Sequence, residues 1–165
     1  MAAEVSIGQL APGYALPPLA PELITRERIL DYAGASGDFN PMHVDEVINV
    51  EAGMGGVFAH GMLGTAFLGR LVTDHLGDVP LTSLSVRCTE VVRPGDVLSC
   101  TGEVVERRIK GGTAHVRFAV RAVNQRGEPT HDGTASVALP LEELDQHVGD
   151  RLDAAQPLVQ WRAIG

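Results

Sequence analysis

Gly61-Met62-Leu63-Gly64-Thr65-Ala66-Phe67-Leu68-Gly69-Arg70-Leu71-Val72 is the stretch on which the fold turns. Its spacing is helical and continues to about residue 76, yet Met62, Leu63, Ala66, Phe67, Leu68, Leu71 and Val72 leave almost no polar face. A helix that is apolar nearly all round belongs inside something that wraps it. It is not a membrane span, because the apolar run over residues 56–72 is broken by His60, Arg70 and glycines and falls short of ~20 uninterrupted apolar residues. Gly64 and Gly69 each weaken the helix by up to ~1 kcal/mol relative to alanine, a cost that close packing against a sheet explains.

The wrapping layer is legible downstream. Leu84, Val86 and Cys88 alternate with Ser85, Arg87 and Thr89, and Leu98, Cys100 and Val104 alternate with Ser99, Thr101 and Glu103. Val116, Phe118 and Val120 alternate with His115, Arg117 and Arg121, and Ala135, Val137 and Leu139 with Thr134, Ser136 and Ala138. Four period-two segments predict an antiparallel sheet with one buried face. The connections carry turn chemistry at Arg93-Pro94-Gly95-Asp96, at Lys110-Gly111-Gly112 and around Gly127. A single curled sheet leaves open edges and a half-covered core, so a partner protomer is expected.

Upstream, Thr25 caps a helix predicted to run to about Ala35, with Ile29, Leu30, Tyr32 and Ala33 on its buried side. Before it, Pro12, Pro17, Pro18 and Pro21 limit any strand to a short one at an edge. The helix delivers the chain to Ser36-Gly37-Asp38-Phe39-Asn40-Pro41-Met42-His43. Gly37 permits backbone angles other residues resist, and Pro41 fixes its own φ while pushing Asn40 out of the helical region, so the segment reads as a rigid loop. An Asp and a His held on such a loop can reach one water or one reacting carbon at roughly 3 Å. Residues 45–51 read as a short acidic helix, ended by Gly53-Met54-Gly55-Gly56, which lets the backbone turn tightly or move as substrate enters.

The run Gly-Asp-Phe-Asn-Pro-Met-His at 37–43, followed by His-Gly-Met-Leu at 60–63, resembles the hydratase motif of the MaoC-like dehydratases. That group includes the (R)-specific enoyl-CoA hydratases, and the likeness covers most of residues 5–139. The resemblance implies an α+β hot-dog fold, an antiparallel sheet wrapped around a central apolar helix. The helix and strand pattern leads to the same architecture independently. Residues 1–139 are taken as the hot-dog hydratase domain and 140–165 as a C-terminal extension holding a possible helix at 142–147 and the sole tryptophan, Trp161. The resemblance also implies a homodimer or higher oligomer with the acyl chain entering near the subunit contact.

Hydrating a trans-2-enoyl thioester needs a base to take a proton from water as it attacks carbon 3, an acid to supply carbon 2, and donors for the developing oxyanion. Asp38 and His43 are the candidates for the first two; Asp38 as base with His43 orienting the water is favoured, and the reverse stays open. The third is the backbone N–H of Gly61, at a helix N-terminus where free amides and the dipole favour an oxyanion. Asn40 and Ser36 are assigned supporting roles, as turn braces as much as chemical groups. Asp45 is expected to begin the next helix rather than orient His43, and His60 is set aside as a satisfied structural imidazole. Phe58, Met62, Phe67 and Leu68 are the expected pocket lining. Where some similar hydratases carry a serine two turns after the Gly of His-Gly-Met-Leu, this chain has Gly69, leaving room for substrate or for packing. The competing classes are a hot-dog thioesterase, against which the Asp-x-Asn-Pro-x-His run speaks, and a non-catalytic subunit of a heteromeric dehydratase, against which the presence of both Asp and His speaks.

Composition bounds the partners. The chain has 165 residues, one domain's worth, with 44% hydrophobic side chains to fill a core. A net charge of −8, with Lys110 the only lysine, argues against nucleic acid and anionic membrane surfaces. Basic residues nevertheless gather between 85 and 126 as Arg87, Arg93, Arg107, Arg108, Lys110, Arg117, Arg121 and Arg126. A solvated sheet face is the favoured reading, and contact with coenzyme A phosphates the sharper one. Cys88 and Cys100 are expected as reduced, core-facing thiols of a cytoplasmic protein, and the first residues lack a secretory pattern. No cofactor is expected beyond the coenzyme A or acyl-carrier-protein thioester as substrate. Asp38, Asn40, His43 and Asp45 lack the ligand spacing of a zinc or calcium site, so no metal is expected.

Overall fold

The computed structural model describes residues 7–77 and 79–141. After a short 3-10 turn at Ile7–Gln9, the elements run β1 (Glu22–Leu23), α1 (Arg26–Ser36), α2 (Pro41–Val44), α3 (Glu46–Glu51) and α4 (Gly61–Leu76). Then come β2 (Leu81–Cys88), β3 (Val97–Lys110), β4 (Thr113–Val123) and β5 (Pro129–Pro140). The five strands form one antiparallel sheet in the order β1-β3-β4-β5-β2. The expected helix at 142–147 and Trp161 lie outside the described residues.

Alternation decides which face of the sheet is wet. Leu98, Cys100 and Val104 of β3, Val116, Phe118 and Val120 of β4, and Ala135, Val137 and Leu139 of β5 are all buried, together with Leu63, Phe67, Leu68, Leu71 and Val72 of α4. Each large apolar side chain so buried contributes about 1.5–3 kcal/mol relative to exposure. This is the hot-dog architecture, a sheet curled against one helix. Strands β3 and β4 run longer than the alternation suggested, because Gly111 and Gly112 at φ 59° and 76° make the tight turn that keeps them paired from Lys110 and Thr113 back to Ser99 and Val123.

The helix is not apolar all round in practice. Met62, Ala66, Arg70 and Asp74, spaced four apart, form one exposed stripe, and the rest of α4 faces the sheet or its flanks. Gly69 faces β2, where a Cβ would meet Leu84 and Leu81 at 3.5 and 3.7 Å, ordinary contact that leaves room for a small side chain. Two further expectations are corrected. Leu30 on α1 is exposed, leaving Ile29 and Ala33 as its buried face, and Cys88 is exposed where Cys100 is buried, because β2 lies at the sheet edge and alternates less cleanly. Before α1, the chain makes a single bridge, Ala15 to Glu103, and the two-residue edge strand β1, as its prolines require. Among the described residues no helix is long and apolar enough to cross a membrane.

Candidate active site

Local capping builds the segment between α1 and α4. Thr25 caps α1, its side chain accepting from the Arg28 N–H at 3.1 Å, and Gly37 closes it at φ 74° with its N–H on the Ala33 carbonyl. The expected rigid loop then contains a helical turn. Asn40 caps α2 by accepting the Met42 N–H at 3.1 Å, with Pro41 at the first helical position, so His43 projects from a short helix. Asp45 ends α2 and caps α3 through the Ile48 N–H at 3.1 Å, the helix-starting role expected of it. Ser36 braces the turn: its hydroxyl donates to the Tyr32 carbonyl at 2.7 Å and accepts from the Asp38 N–H at 3.3 Å. The Asp38 carboxylate accepts the Asn40 N–H at 3.2 Å and is otherwise open to solvent.

The fold brings together Asp38, His43 and His60, one side-chain oxygen or nitrogen of each lying within 4.8 Å of the others. His43 Nδ1 stands 2.8 Å from the Phe58 carbonyl. A carbonyl only accepts, so Nδ1 carries the proton, and in the singly protonated ring Nε2 presents a lone pair. The His43 ring stacks on His60 with centroids 3.8 Å apart and meets Phe58 edge-on at 5.2 Å. His60, set aside in the sequence, is part of this cluster: its Nε2 donates to the Asp38 carbonyl at 2.9 Å, Tyr32 stands on it at 5.0 Å, and its Nδ1 is buried with no partner among the described residues. Nothing in sequence spacing puts residue 60 over residue 43; the antecedent hint was its place just before the helix start.

His60 also caps α4 by position, so the next residue, Gly61, opens the helix. Among the described residues no acceptor meets the Gly61 N–H, whereas its carbonyl takes Thr65 Oγ1 at 3.2 Å and His131 Nε2 at 3.0 Å. Beside it lies a cavity of about 300 Å³, lined by Ile24, Phe58 to Gly61, Leu63, Gly64, Cys88 to Val92, Leu98 and His131. Of the expected lining residues it includes Phe58 alone. Met62 is 61% exposed on the outer stripe of α4, and Phe67 and Leu68 are buried in the core. Only the first turn of α4, at Gly61, Leu63 and Gly64, borders the cavity: Met62 points outward, and Phe67 and Leu68 lie further along the helix. Asp38 and His43 do not line it but touch residues that do, His43 meeting Phe58 and His60 and the Asp38 carbonyl meeting His60.

Asn49 escaped the sequence reading, and Arg93 of the basic cluster takes a structural role. Asn49, buried on α3, lies with Nδ2 3.1, 3.0 and 2.7 Å from the carbonyls of Pro41, Met42 and Asp45, tying α2 down. Arg93 spends its guanidinium on the carbonyls of Met54, Gly55 and Gly56 at 2.7, 3.4 and 3.2 Å, fixing the glycine loop. The rest of the basic cluster follows the solvated-face reading where partners are seen: Arg108 and Arg117 meet Glu106, Arg121 meets Asp132, and Arg126 meets Asp96 and Glu128.

The sequence profile of the MaoC like domain matches residues 11–125. A mitochondrial 3-hydroxyacyl-[acyl-carrier-protein] dehydratase of Arabidopsis thaliana is 27% identical over 75% of each chain. An R-hydratase of Pseudomonas aeruginosa, seen unliganded, shares 30% identity with a TM-score of 0.71, over 81% of this chain and 84% of that one. One chain of the ChsH1–ChsH2 complex of Mycobacterium tuberculosis shares the fold at 24% identity and a TM-score of 0.68, over 78% of this chain and 98% of that one. With the profile spanning both motif segments and most of the sheet, the chain belongs to the family of MaoC-like dehydratase domains.

Proposed function

We propose that this protein hydrates trans-2-enoyl thioesters to (3R)-3-hydroxyacyl thioesters, or runs the reverse dehydration. The observation that carries it is the convergence of Asp38 and His43 against Phe58 and His60, two residues of the wall of a cavity that Gly61 also lines, with the Gly61 N–H meeting no acceptor among the described residues. Two family members, the Pseudomonas R-hydratase and the plant acyl-carrier-protein dehydratase, support the reaction class.

The chemistry divides as follows. The thioester oxygen approaches the Gly61 N–H, which meets negative charge as carbon 3 is attacked. Water lies between the Asp38 carboxylate and His43 Nε2; one of the pair removes its proton as its oxygen bonds to carbon 3, and the pair gives that proton to carbon 2 as the enolate collapses. Asp38 is the favoured base, with His43 orienting the water, its ring direction set by the Phe58 carbonyl. The cavity takes the acyl chain, and the carrier is coenzyme A or an acyl carrier protein. No cofactor or metal takes part in these steps.

The protein acts as a homodimer. Strand β2 ends the sheet and has no outer strand partner among the described residues, and Phe39, Val47, Ile48, Val50 and Met62 leave apolar surface on the elements that carry the site. A monomeric mass in light scattering at micromolar concentration overturns this part.

The test is loss of enoyl absorbance from crotonyl-CoA and a longer trans-2-enoyl-CoA, with a thiol reagent in parallel. Loss without free thiol is expected, falling by roughly 10²-fold or more in Asp38→Asn and in His43→Ala with the fold retained. Full activity in both variants sinks the catalytic assignment; release of free thiol makes the protein a thioesterase.

A further inference from the structure

Strand β5 opens with a distortion that serves the site. His131 pairs with Ala122 of β4 and Pro129 with Val123, so Thr130 is the extra residue of a β-bulge. Strict alternation turns only one of two neighbours inward, but here Thr130 and His131 are both fully buried. The bulge aims His131 at the first turn of α4, and the sequence makes room for it there. A Cβ on Gly64 falls 2.2, 2.5 and 2.8 Å from three atoms of the imidazole ring, contacts that real side chains do not make. Any residue but glycine at 64 evicts the ring.

Both ring nitrogens are engaged. Nε2 lies 3.0 Å from the Gly61 carbonyl, which only accepts, so Nε2 carries a proton. Nδ1 lies 3.0 Å from Thr130 Oγ1, whose hydroxyl is also 3.2 Å from the Ala122 carbonyl. Burial lowers the ring's pKa, favouring the neutral form, in which Nδ1 accepts and the single Thr130 hydroxyl proton goes to it rather than to the Ala122 carbonyl. Gly61 is thereby gripped on its C-terminal side by His131 and Thr65. On its N-terminal side the His60 ring is tied to the Asp38 carbonyl. A glycine offers its N–H to a ligand at the cost of backbone freedom, and these two grips remove that freedom.

We infer that His131 is a positioning residue for the reaction: with Gly64 as its seat, it clamps the carbonyl of the Gly61–Met62 peptide and, with the His60 ring held on the other side, limits rotation about Gly61 so that the Gly61 N–H stays aimed at the thioester oxygen. It touches no reacting atom. The inference rests on the oxyanion role of Gly61 in the proposed function.

The experiment compares wild type, His131→Phe, His131→Gln and Gly64→Ala by hydratase kinetics and by the Gly61 amide resonance in 1H–15N spectra. Phenylalanine keeps the ring and loses the donor, while glutamine places an amide N–H near where Nε2 stands. Expected are a kcat lowered by roughly tenfold or more in His131→Phe with KM within about twofold, and recovery of most of that loss in His131→Gln. Gly64→Ala is expected to match His131→Phe in kcat although alanine favours the helix. The Gly61 amide shift should move in His131→Phe and return in His131→Gln. Wild-type kcat in His131→Phe, or His131→Gln no better than His131→Phe, overturns the clamp. If wild type is inert on every enoyl thioester tried, the hydratase reading fails by itself. An unmoved Gly61 amide in both His131→Phe and Gly64→Ala then overturns the clamp separately.

Discussion

Asn49 offers the sharpest test of how His43 is held. The four-residue helix α2 has no buried residue of its own, so packing does little to fix it. Among its attachments are the His43 bond to the Phe58 carbonyl, the Phe58 N–H donated to the Met42 carbonyl at 3.4 Å, and the Asn49 side chain, 1% exposed, whose Nδ2 faces three carbonyls. An amide has two protons for these three acceptors, and flipping it sets oxygen against oxygen, so the orientation is determined. Its Oδ1 has no partner among the described residues, so the side chain is present for what Nδ2 does. Replacing Asn49 by leucine, close in volume, removes two donated protons at roughly 1 kcal/mol each, about 2 kcal/mol in all, while the Pro41, Met42 and Asp45 carbonyls keep their backbone donors Asp45, Phe58 and Asn49. For a chain of this size that is a fall in Tm of roughly 4–8 °C. Loosening α2 by about 1 Å at His43 lowers kcat by roughly 10²-fold. Asn49→Asp, nearly isosteric, exchanges the donors for a buried carboxylate facing three carbonyl oxygens and destabilises more than leucine does. The assays are thermal unfolding by circular dichroism and loss of enoyl absorbance. An Asn49→Leu protein with wild-type Tm and kcat, or an Asn49→Asp protein as stable as wild type at pH 7, refutes the reasoning.

Three further outcomes follow from the same structure. A maleimide reacts at Cys88, which is exposed and borders the cavity, and blocks activity, while Cys100, its pKa pushed up to about 11 by burial, is untouched in the folded protein; peptide mass mapping that finds Cys100 labelled first contradicts this. Arg93→Ala lowers Tm by loosening the glycine loop and leaves the KM for an acyl-CoA within about twofold, whereas a large rise in KM with unchanged Tm returns Arg93 to phosphate binding. Burial lowers the pKa of His131 below its ordinary 6.5, so the unfolded chain binds its proton first as pH falls. The stability this residue contributes is complete above about pH 6.5 and is lost as pH drops toward the depressed folded value. In His131→Gln the acid-side fall of stability is therefore shallower, as denaturant midpoints between pH 7 and 5 will record; identical slopes count against it.

Certain elements were fixed by local rules. The helix at 61–76 was legible because an apolar run with helical spacing has one stable solution, burial against a sheet, and the four strands because period-two alternation survives in their middles. Caps at Thr25 and Asp45 act within a few residues of chain, so Ser/Thr/Asp chemistry alone placed those helix starts. The motif run 37–43 named Asp38 and His43 as candidates, and the Gly61 N–H followed from its place at a helix end.

Only tertiary structure decided the rest. That His60 lies over His43, that His131 reaches Gly61 from seventy residues away in sequence, and that Asn49 holds α2 are contacts between elements, and no periodicity encodes them. Pocket lining follows the same rule: Met62 points outward on the exposed stripe of α4, and Phe67 and Leu68 lie further along the helix than the first turn that borders the cavity. The bulge at Thr130 overrode alternation where pattern reading expects it to hold. Sequence determined which residue types stand where along each element; the crossing of α4 over the sheet determined which of them share a site, because proximity across elements is set by packing and not by chain order.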